Sequence, residues 1–599
     1  MTLLRPFKPY KFAIYSVFIF ACILLFNQGD LTHTALSSYA YLNGHFLSFY
    51  DYNKINMGGN DYLPILYFFF AIWNIPLKLS NLTNGFIAQP IEIIWWKLFI
   101  ATAFFASVFL IHKISTSYIK NVDIKPPSAA AFLFATSPIA IFSAFIFSGY
   151  DILGIFFTLM GFYFYLQKNY TKFSWLFSLA IGFKFFAFVI FLPLILFAEK
   201  RVNYLLKYLL IALAVTFLQI LLYWQSDIFR GEIFNLVKLK AGASFSHSLI
   251  YHGIYILLCV TLYFKKIKNR SHKEIIIFLI PIAAYACMFS SVAWHPQWLI
   301  LLTPYVAFSY YFIKHKKIFF FVEILGALAF IWITVNGWPN HVDAVMVTRG
   351  ALKFLMPQPL LNISDFLRPE YNLIFGKIFS LYLFFPILLI GYEHFIQKKI
   401  KQVKYFNFEK FLTLRFLLGN SVFFIFALIC TFIPMSLAIS VNPDTAFKKL
   451  NEEILAPQAQ IAIGEIFSNQ EVIQTFKVSS NNFSGFKVML ATYMRTNNQP
   501  VKFILKSADG EIIMEEILSA KIIHDNSYKG FTFPVQLNSK DKLYKLFISS
   551  PASFSGNAIT AWATKNDCHP NGELTFAGNK LDGDLVMNLY YQPNAKIAQ

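Results

Sequence analysis

VNYLLKYLLIALAVTFLQILLYW, residues 202–224, holds a single charge, Lys207. At 1.5 Å per residue a helix of this stretch is about 35 Å long, enough to cross a hydrocarbon core of about 30 Å. Working outward, Phe12 to Asn27 is free of charge, and similar runs recur until about residue 438. The 599 residues are 57% hydrophobic and 19% aromatic, and only 14% are charged. These runs predict a polytopic α-helical membrane protein.

The formal net charge of +20 is unevenly placed. From Val441 onward, 15 Lys/Arg face 15 Asp/Glu, whereas residues 1–440 carry 36 against 16. A nucleic-acid-binding domain would concentrate its basic residues on one folded unit. Here they lie in short connections between apolar runs, as membrane topology alone requires, so no nucleic-acid partner is expected. Cys22, Cys259, Cys287 and Cys430 sit in apolar runs and Cys568 is alone in the tail, which gives neither a disulfide framework nor zinc spacing. Arg5, Lys8 and Lys11 precede a first span without a small-residue cleavage site, so that span reads as a retained anchor.

Positive-inside counting predicts about thirteen spans: 12–27, 93–111, 128–146, 150–166, 173–183, 185–198, 204–224, 249–263, 275–292, 297–313, 318–337, 372–393 and 416–438. The N-terminus is then cytoplasmic and the C-terminal tail extracytoplasmic. Tyr62 to Pro76 is too short to cross and is expected at the outer interface. The arms 173–183 and 185–198 are short as well, which should leave Lys184 in the outer half of the bilayer, facing a cavity or a partner. The outer loop 225–248 mixes apolar residues with Arg230, Lys238 and Lys240, the outer loop 338–371 is similar in character, and both read as interfacial.

Past residue 440 the pattern shortens to alternating segments such as FKVML, VKFIL and KLYKLFIS, separated by turns such as SADG and HPNG. Such spacing predicts an all-β sandwich. The expected organisation is a transmembrane domain over 1–440, a linker over 441–459, partly helical between Asp444 and Leu455, and a β domain over 460–599.

Between the first span and the next, NQGDLTHTALSSYAYLNGHFLSFYDYNKINMGGNDYLPILY (27–67) gathers Asp30, Asp51, Asp61, His33 and His45. It reads as an extracytoplasmic loop. The topology puts Asp30, Asp151 in SGYD, Lys184 and His295 in SVAWHPQW on the same side of the membrane. A sugar on a polyprenyl phosphate brings its own leaving group. Its transfer needs a carboxylate base for the acceptor hydroxyl and cations for the departing phosphate. It needs no metal or other cofactor. Each residue also has a plainer reading. Asp151 would cap the helix that starts there, Lys184 would snorkel, His295 would belong to an aromatic belt, and Asp51 and Asp61 would be solvated loop acids.

Asp30 in NQGDLTH, the segment Tyr62-Leu-Pro-Ile-Leu-Tyr67, and the turns SPIAIFSAFIFSGYD, GFKFFAFVIFLP and WHPQWLILLTP resemble the GT-C superfamily of integral-membrane glycosyltransferases, close to its polyprenyl-phosphate-mannose-dependent members. The resemblance spans about residues 1–400, and the second segment has one proline where the family pattern has two. It implies Asp30 as catalytic base, and Lys184, His295, Asp151 and Tyr62 near the donor, with Asp51, Asp61 and His33 as secondary candidates. It further implies a lipid-linked sugar donor and a glycan or glycolipid acceptor. The tail is similar to the jelly-roll, carbohydrate-binding-module-like domains appended to some bacterial membrane glycosyltransferases, which implies a bacterial inner-membrane location with the tail in the periplasm. The alternatives are a transporter or flippase of lipid-linked sugars, for which internal repeats are missing, and a surface-polysaccharide polymerase or ligase.

Overall fold

The structure, a computed structural model, describes residues 9–83, 88–119, 129–233, 245–292, 294–337, 369–396, 451–454, 459–468, 470–566 and 572–592, with 342, 346, 347, 349–352, 413–415 and 417. The chain forms two compact units, Met1–Ala438 and Ile439–Gln599.

The first unit is helical. In chain order it begins α1 (Pro9–Leu25), α2 (Gly29–Ser37), α3 (Tyr39–Leu42), α4 (Phe49–Met57), α5 (Pro64–Leu79) and α6 (Pro90–Tyr118). It continues α7 (Ala129–Ala135), α8 (Pro138–Ile141), α9 (Asp151–Leu166), α10 (Tyr170–Phe183), α11 (Ala187–Ala198) and α12 (Val202–Tyr223). Five described helices are long and apolar enough to cross a membrane: α6, α12, Arg270–Ser291, Lys316–Gly337 and Asn372–Ile396. Two bent pairs, Ala13–Leu25 with Gly29–Leu42 (71°) and Ala129–Ala135 with Pro138–Ile146 (52°), bring the number among the described residues to as many as seven if each pair is counted as one span. On α12 one face is buried (Leu205, Tyr208, Ala212, Thr216, Gln219), while Leu206, Leu210, Leu213, Phe217 and Leu221 are exposed. A long apolar face left exposed fits lipid as its solvent.

The described residues correct several expectations. The segment 27–67 is not an open loop but three short helices, α2 to α4, packed through Tyr50, Tyr67, Tyr223 and Phe229. The expected span 297–313 is a 3₁₀ turn, Pro296–Leu301, followed by a short helix, Thr303–Ser309. Pro296 and Pro304 each remove a backbone donor there, which prevents one continuous helix. The span 128–146 breaks before Pro138, which disfavours a helical residue ahead of it, and ends as a π-helix over Phe142–Ile146. The arms α10 and α11 are 14 and 12 residues long, or about 20 Å each. The short run at 62–76 forms α5, whose buried face (Leu66, Phe70, Asn74) locks to α2 and α6. Asn74 Nδ2 donates to Ser38 Oγ at 3.1 Å, and Trp96 Nε1 donates to Asn74 Oδ1 at 2.9 Å. Lys238, Lys240, most of 338–371, and all but Leu417 of the expected span 416–438 lie outside the described residues.

The second unit is a two-sheet antiparallel sandwich. Seven strands pair in the order β1 (Asn451–Ile454), β13 (Met587–Tyr591), β4 (Phe483–Ala491), β9 (Thr560–Thr564), β12 (Asp584–Leu585), with β2 (Ile461–Ala462) on β9 and β7 (Ser527–Gln536) on β4. Six more run β11 (Asn579–Leu581), β10 (Glu573–Phe576), β3 (Val472–Lys477), β8 (Leu543–Ser549), β5 (Pro500–Ser507), β6 (Ile512–Ser519). Alternate residues of both sheets point inward: Phe503 meets Phe531 at 4.6 Å and Phe483 meets Tyr544 at 5.1 Å across the core. Within the expected linker, residues 451–454 are strand rather than helix. They pair with β13, and Glu452 Oε1 accepts from Tyr590 Oη (2.5 Å) and Asn588 Nδ2 (2.8 Å).

Candidate functional site

Asp30 lies in the first turn of α2, immediately after the 71° bend that ends α1. Gln28 caps this turn, its side-chain oxygen accepting from the Asp30 amide. A carboxylate is favoured at a helix N-terminus, where unpaired amides carry partial positive charge. Two glycines let the chain close here. A Cβ on Gly350 would stand 2.2 Å from the Leu25 carbonyl oxygen, and one on Gly29 would stand 2.6 Å from Arg349 Nη1. The segment around Arg349 is pinned to the bend, with Asn27 N donating to Met346 O (2.9 Å) and Leu352 N to Leu24 O (3.3 Å). The Arg349 guanidinium is therefore held over Gly29, at the start of α2.

Asp151 begins α9 and Lys184 terminates α10 in extended conformation, so both side chains emerge at the same end of the bundle. They form an ion pair in which Asp151 is fully buried and Lys184 is 12% exposed. The ammonium also faces the rings of Trp298 (5.0 Å) and Tyr62 (5.2 Å), which favour a cation over their faces. Asp151 Oδ2 and Gln297 Oε1 are buried oxygens without hydrogen-bond partners. Gln297 links the two halves of the site by donating from Nε2 to Asp30 Oδ2 at 3.3 Å. Its backbone turn is fitted against Gly149, where a Cβ would stand 2.5 Å from Gln297 Cβ. Tyr62 interacts electrostatically with both Asp30 and Asp151, and its ring meets Tyr150 edge-on at 5.5 Å. A small cavity lined by Tyr150, Asp151, Thr158, Phe183 and Lys184 opens beside the pair.

Of the residues singled out in the sequence, the structure gathers Asp30, Tyr62, Asp151 and Lys184. His295 reaches the group through Trp298, its imidazole 5.2 Å from the ring that the Lys184 ammonium faces at 5.0 Å. His33 is one turn along α2 from Asp30, and its Nε2 meets the Met57 carbonyl at 3.0 Å. Asp51 opens α4, and Asp61 is exposed before α5; neither pairs with Lys184, whose carboxylate partner is Asp151. Sequence reasoning missed Gln297 and Arg349. Gln297 carried a faint signal, an amide two positions from His295 in an apolar turn, whereas Arg349 carried none beyond its place in a long polar connection. Among the described residues, no three His, Cys, Asp or Glu side chains gather to hold a metal ion.

One end of the bundle thus presents a half-exposed carboxylate, two cations and orphaned acceptor oxygens. No family model and no curated protein matches the chain. Among solved structures, it is similar to ArnT from Cupriavidus metallidurans in the apo state, at 11% identity over 64% of this chain and 76% of that one (TM-score 0.33). Against ArnT bound to undecaprenyl phosphate the identity is 11% over 69% and 87% (TM-score 0.32). Against the arabinosyltransferase EmbB from Mycobacterium smegmatis it is 9% over 98% and 65% (TM-score 0.38). Likeness at this level does not assign the chain to a family.

Proposed function

We propose that the protein is an inverting membrane glycosyltransferase that moves a hexose from a polyprenyl-phosphate donor to a glycan or lipid-linked acceptor. Mannose is the sugar that the sequence resemblance implies. The observation that carries the reading is the meeting of Asp30 with Gln297, Tyr62 and the Asp151–Lys184 pair at one end of an apolar helical bundle. Asp30 is the base. Gln297 holds its Oδ2, leaving the carboxylate free to take the acceptor hydroxyl's proton as the acceptor oxygen attacks the anomeric carbon. The bond from that carbon to the phosphate oxygen breaks, and the electron pair leaves with the phosphate. Lys184 and Arg349 stabilise the charge that develops there.

An ammonium has three N–H donors, so Lys184 can keep Asp151 and still reach a phosphate. Buried acceptors without donors, Asp151 Oδ2 and Gln297 Oε1, suit the hydroxyls of a sugar. The proposal puts the β domain in the periplasm, where it either holds the acceptor glycan or serves a purely structural role, and the N-terminus of the chain in the cytoplasm. Purified protein in lipid, given radiolabelled polyprenyl-phosphate hexoses and membrane glycan acceptors, should transfer label and release the polyprenyl phosphate. Intact labelled donor crossing a vesicle membrane with no transfer would establish the transporter reading instead.

A further inference from the structure

Lys97 lies on α6, about 10 Å along the helix from its first residue, Pro90, and is 1% exposed. No carboxylate among the described residues pairs with it. Its ammonium donates instead to three backbone carbonyls: Cys22 O (2.7 Å), Phe26 O and Phe145 O (2.8 Å). All three donors are used, so Lys97 has none to offer a substrate.

The three carbonyls belong to two separate breaks. Cys22 and Phe26 flank the end of α1, where the Phe26 amide closes on the Cys22 carbonyl at 3.3 Å and the carbonyls that follow lack donors within the helix. Phe145 lies in the π-helix Phe142–Ile146, whose wide turns send Phe147 N to Phe142 O (2.7 Å) and Gly149 N to Ser143 O (2.7 Å). The first break leads directly to Asp30 and the second to Tyr150 and Asp151. A hydroxyl or amide would cap one helix end without the cost of burying a cation at this depth. A three-donor cation adds a single point that fastens both breaks at once.

We propose that Lys97 is a positioning residue that sets the placement of Asp30 relative to the Asp151–Lys184 pair. Its kinetic consequence rests on the glycosyl-transfer reading, whereas its structural consequence does not.

The test uses the full chain in lipid nanodiscs and compares Lys97→Met and Lys97→Arg with the unaltered protein. Hydrogen exchange in Lys97→Met should rise together in the peptides around residues 22–32 and 143–153 and stay unchanged in the Arg270–Ser291 helix. Transfer should fall on the order of 10²-fold in kcat, the effect of misplacing reacting groups by about 1 Å, with donor KM little changed. Lys97→Arg should recover part of both. If Lys97→Met does not fold, Lys97→Gln, with two donors, is judged by the same readouts. Exchange that rises in only one segment or throughout the chain, or a kcat equal to that of the unaltered protein, overturns the proposal. If the unaltered protein transfers no sugar, the functional reading fails, and the exchange data alone decide the role of Lys97.

Discussion

Replacing Asp30 by Asn separates chemistry from folding at this site. The amide has nearly the same volume, and its oxygen can accept the Gln297 N–H that Asp30 Oδ2 accepts at 3.3 Å. The stability lost is mainly that of a negative charge at the start of α2, about 0.3–1 kcal/mol. The rate loss should be far larger. A general base typically contributes about 10²–10⁴-fold, which is about 2.7–5.5 kcal/mol of barrier at 1.36 kcal/mol per decade. The Asp30→Asn protein should therefore unfold within a few degrees of the unaltered protein and bind donor lipid normally, yet transfer labelled hexose at least about 100-fold more slowly. Initial rates in nanodiscs at saturating donor measure this. Asp51→Asn, on α4 and without contact to Lys184, serves as the control and should keep most activity. Transfer by Asp30→Asn within about threefold of the unaltered rate, a deficit of less than 1 kcal/mol of barrier, would refute the assignment of the base.

Lys184→Met strands a fully buried Asp151 and should cost about 3–5 kcal/mol of stability. Adding Asp151→Leu should restore most of the thermal stability in detergent while transfer stays lost, because the orphaned charge is gone but the phosphate contact is not rebuilt. Arg349→Ala should raise donor KM by about 10- to 150-fold, the worth of one charge-assisted hydrogen bond of about 1.5–3 kcal/mol, with a smaller effect on thermal stability. A fragment of residues 451–592 should fold as a soluble β protein by circular dichroism. One starting at 460 should melt lower, because β13 keeps β4 but loses β1 and the Glu452 and Glu453 bonds to Tyr590 and Tyr591. In that fragment burial alone would raise the Glu465 pKa, but bonds from Arg495, the Gly556 amide and Ser555 outweigh it and hold the carboxyl below its usual value. A depressed carboxyl stabilises the fold above its unfolded pKa of about 4.3, and this contribution is lost as pH falls through the folded value. Glu465→Gln should therefore lower the melting temperature at pH 7 and flatten its decline in acid.

The sequence determined the class of both units, because hydropathy and strand alternation are local. The run 202–224 needs only its own composition to show that it belongs in lipid, and KLYKLFIS needs only its alternation to show one buried face. It also marked Asp30, Asp151 and Lys184, since a charge flanked by apolar runs stands out without knowledge of its partners. Tertiary structure decided what those charges do for one another. Only packing brings Gln297 onto Asp30 across 267 positions of chain, or lays Arg349 over Gly29. Only packing turns Lys97, one more basic residue near the start of an apolar run, into the point that fastens two breaks. The bend after Leu25, the π-helix before Asp151 and the strand at 451–454 follow the same rule. Each is stabilised by groups distant in sequence that satisfy its backbone or side chains, and local propensity carries no record of them.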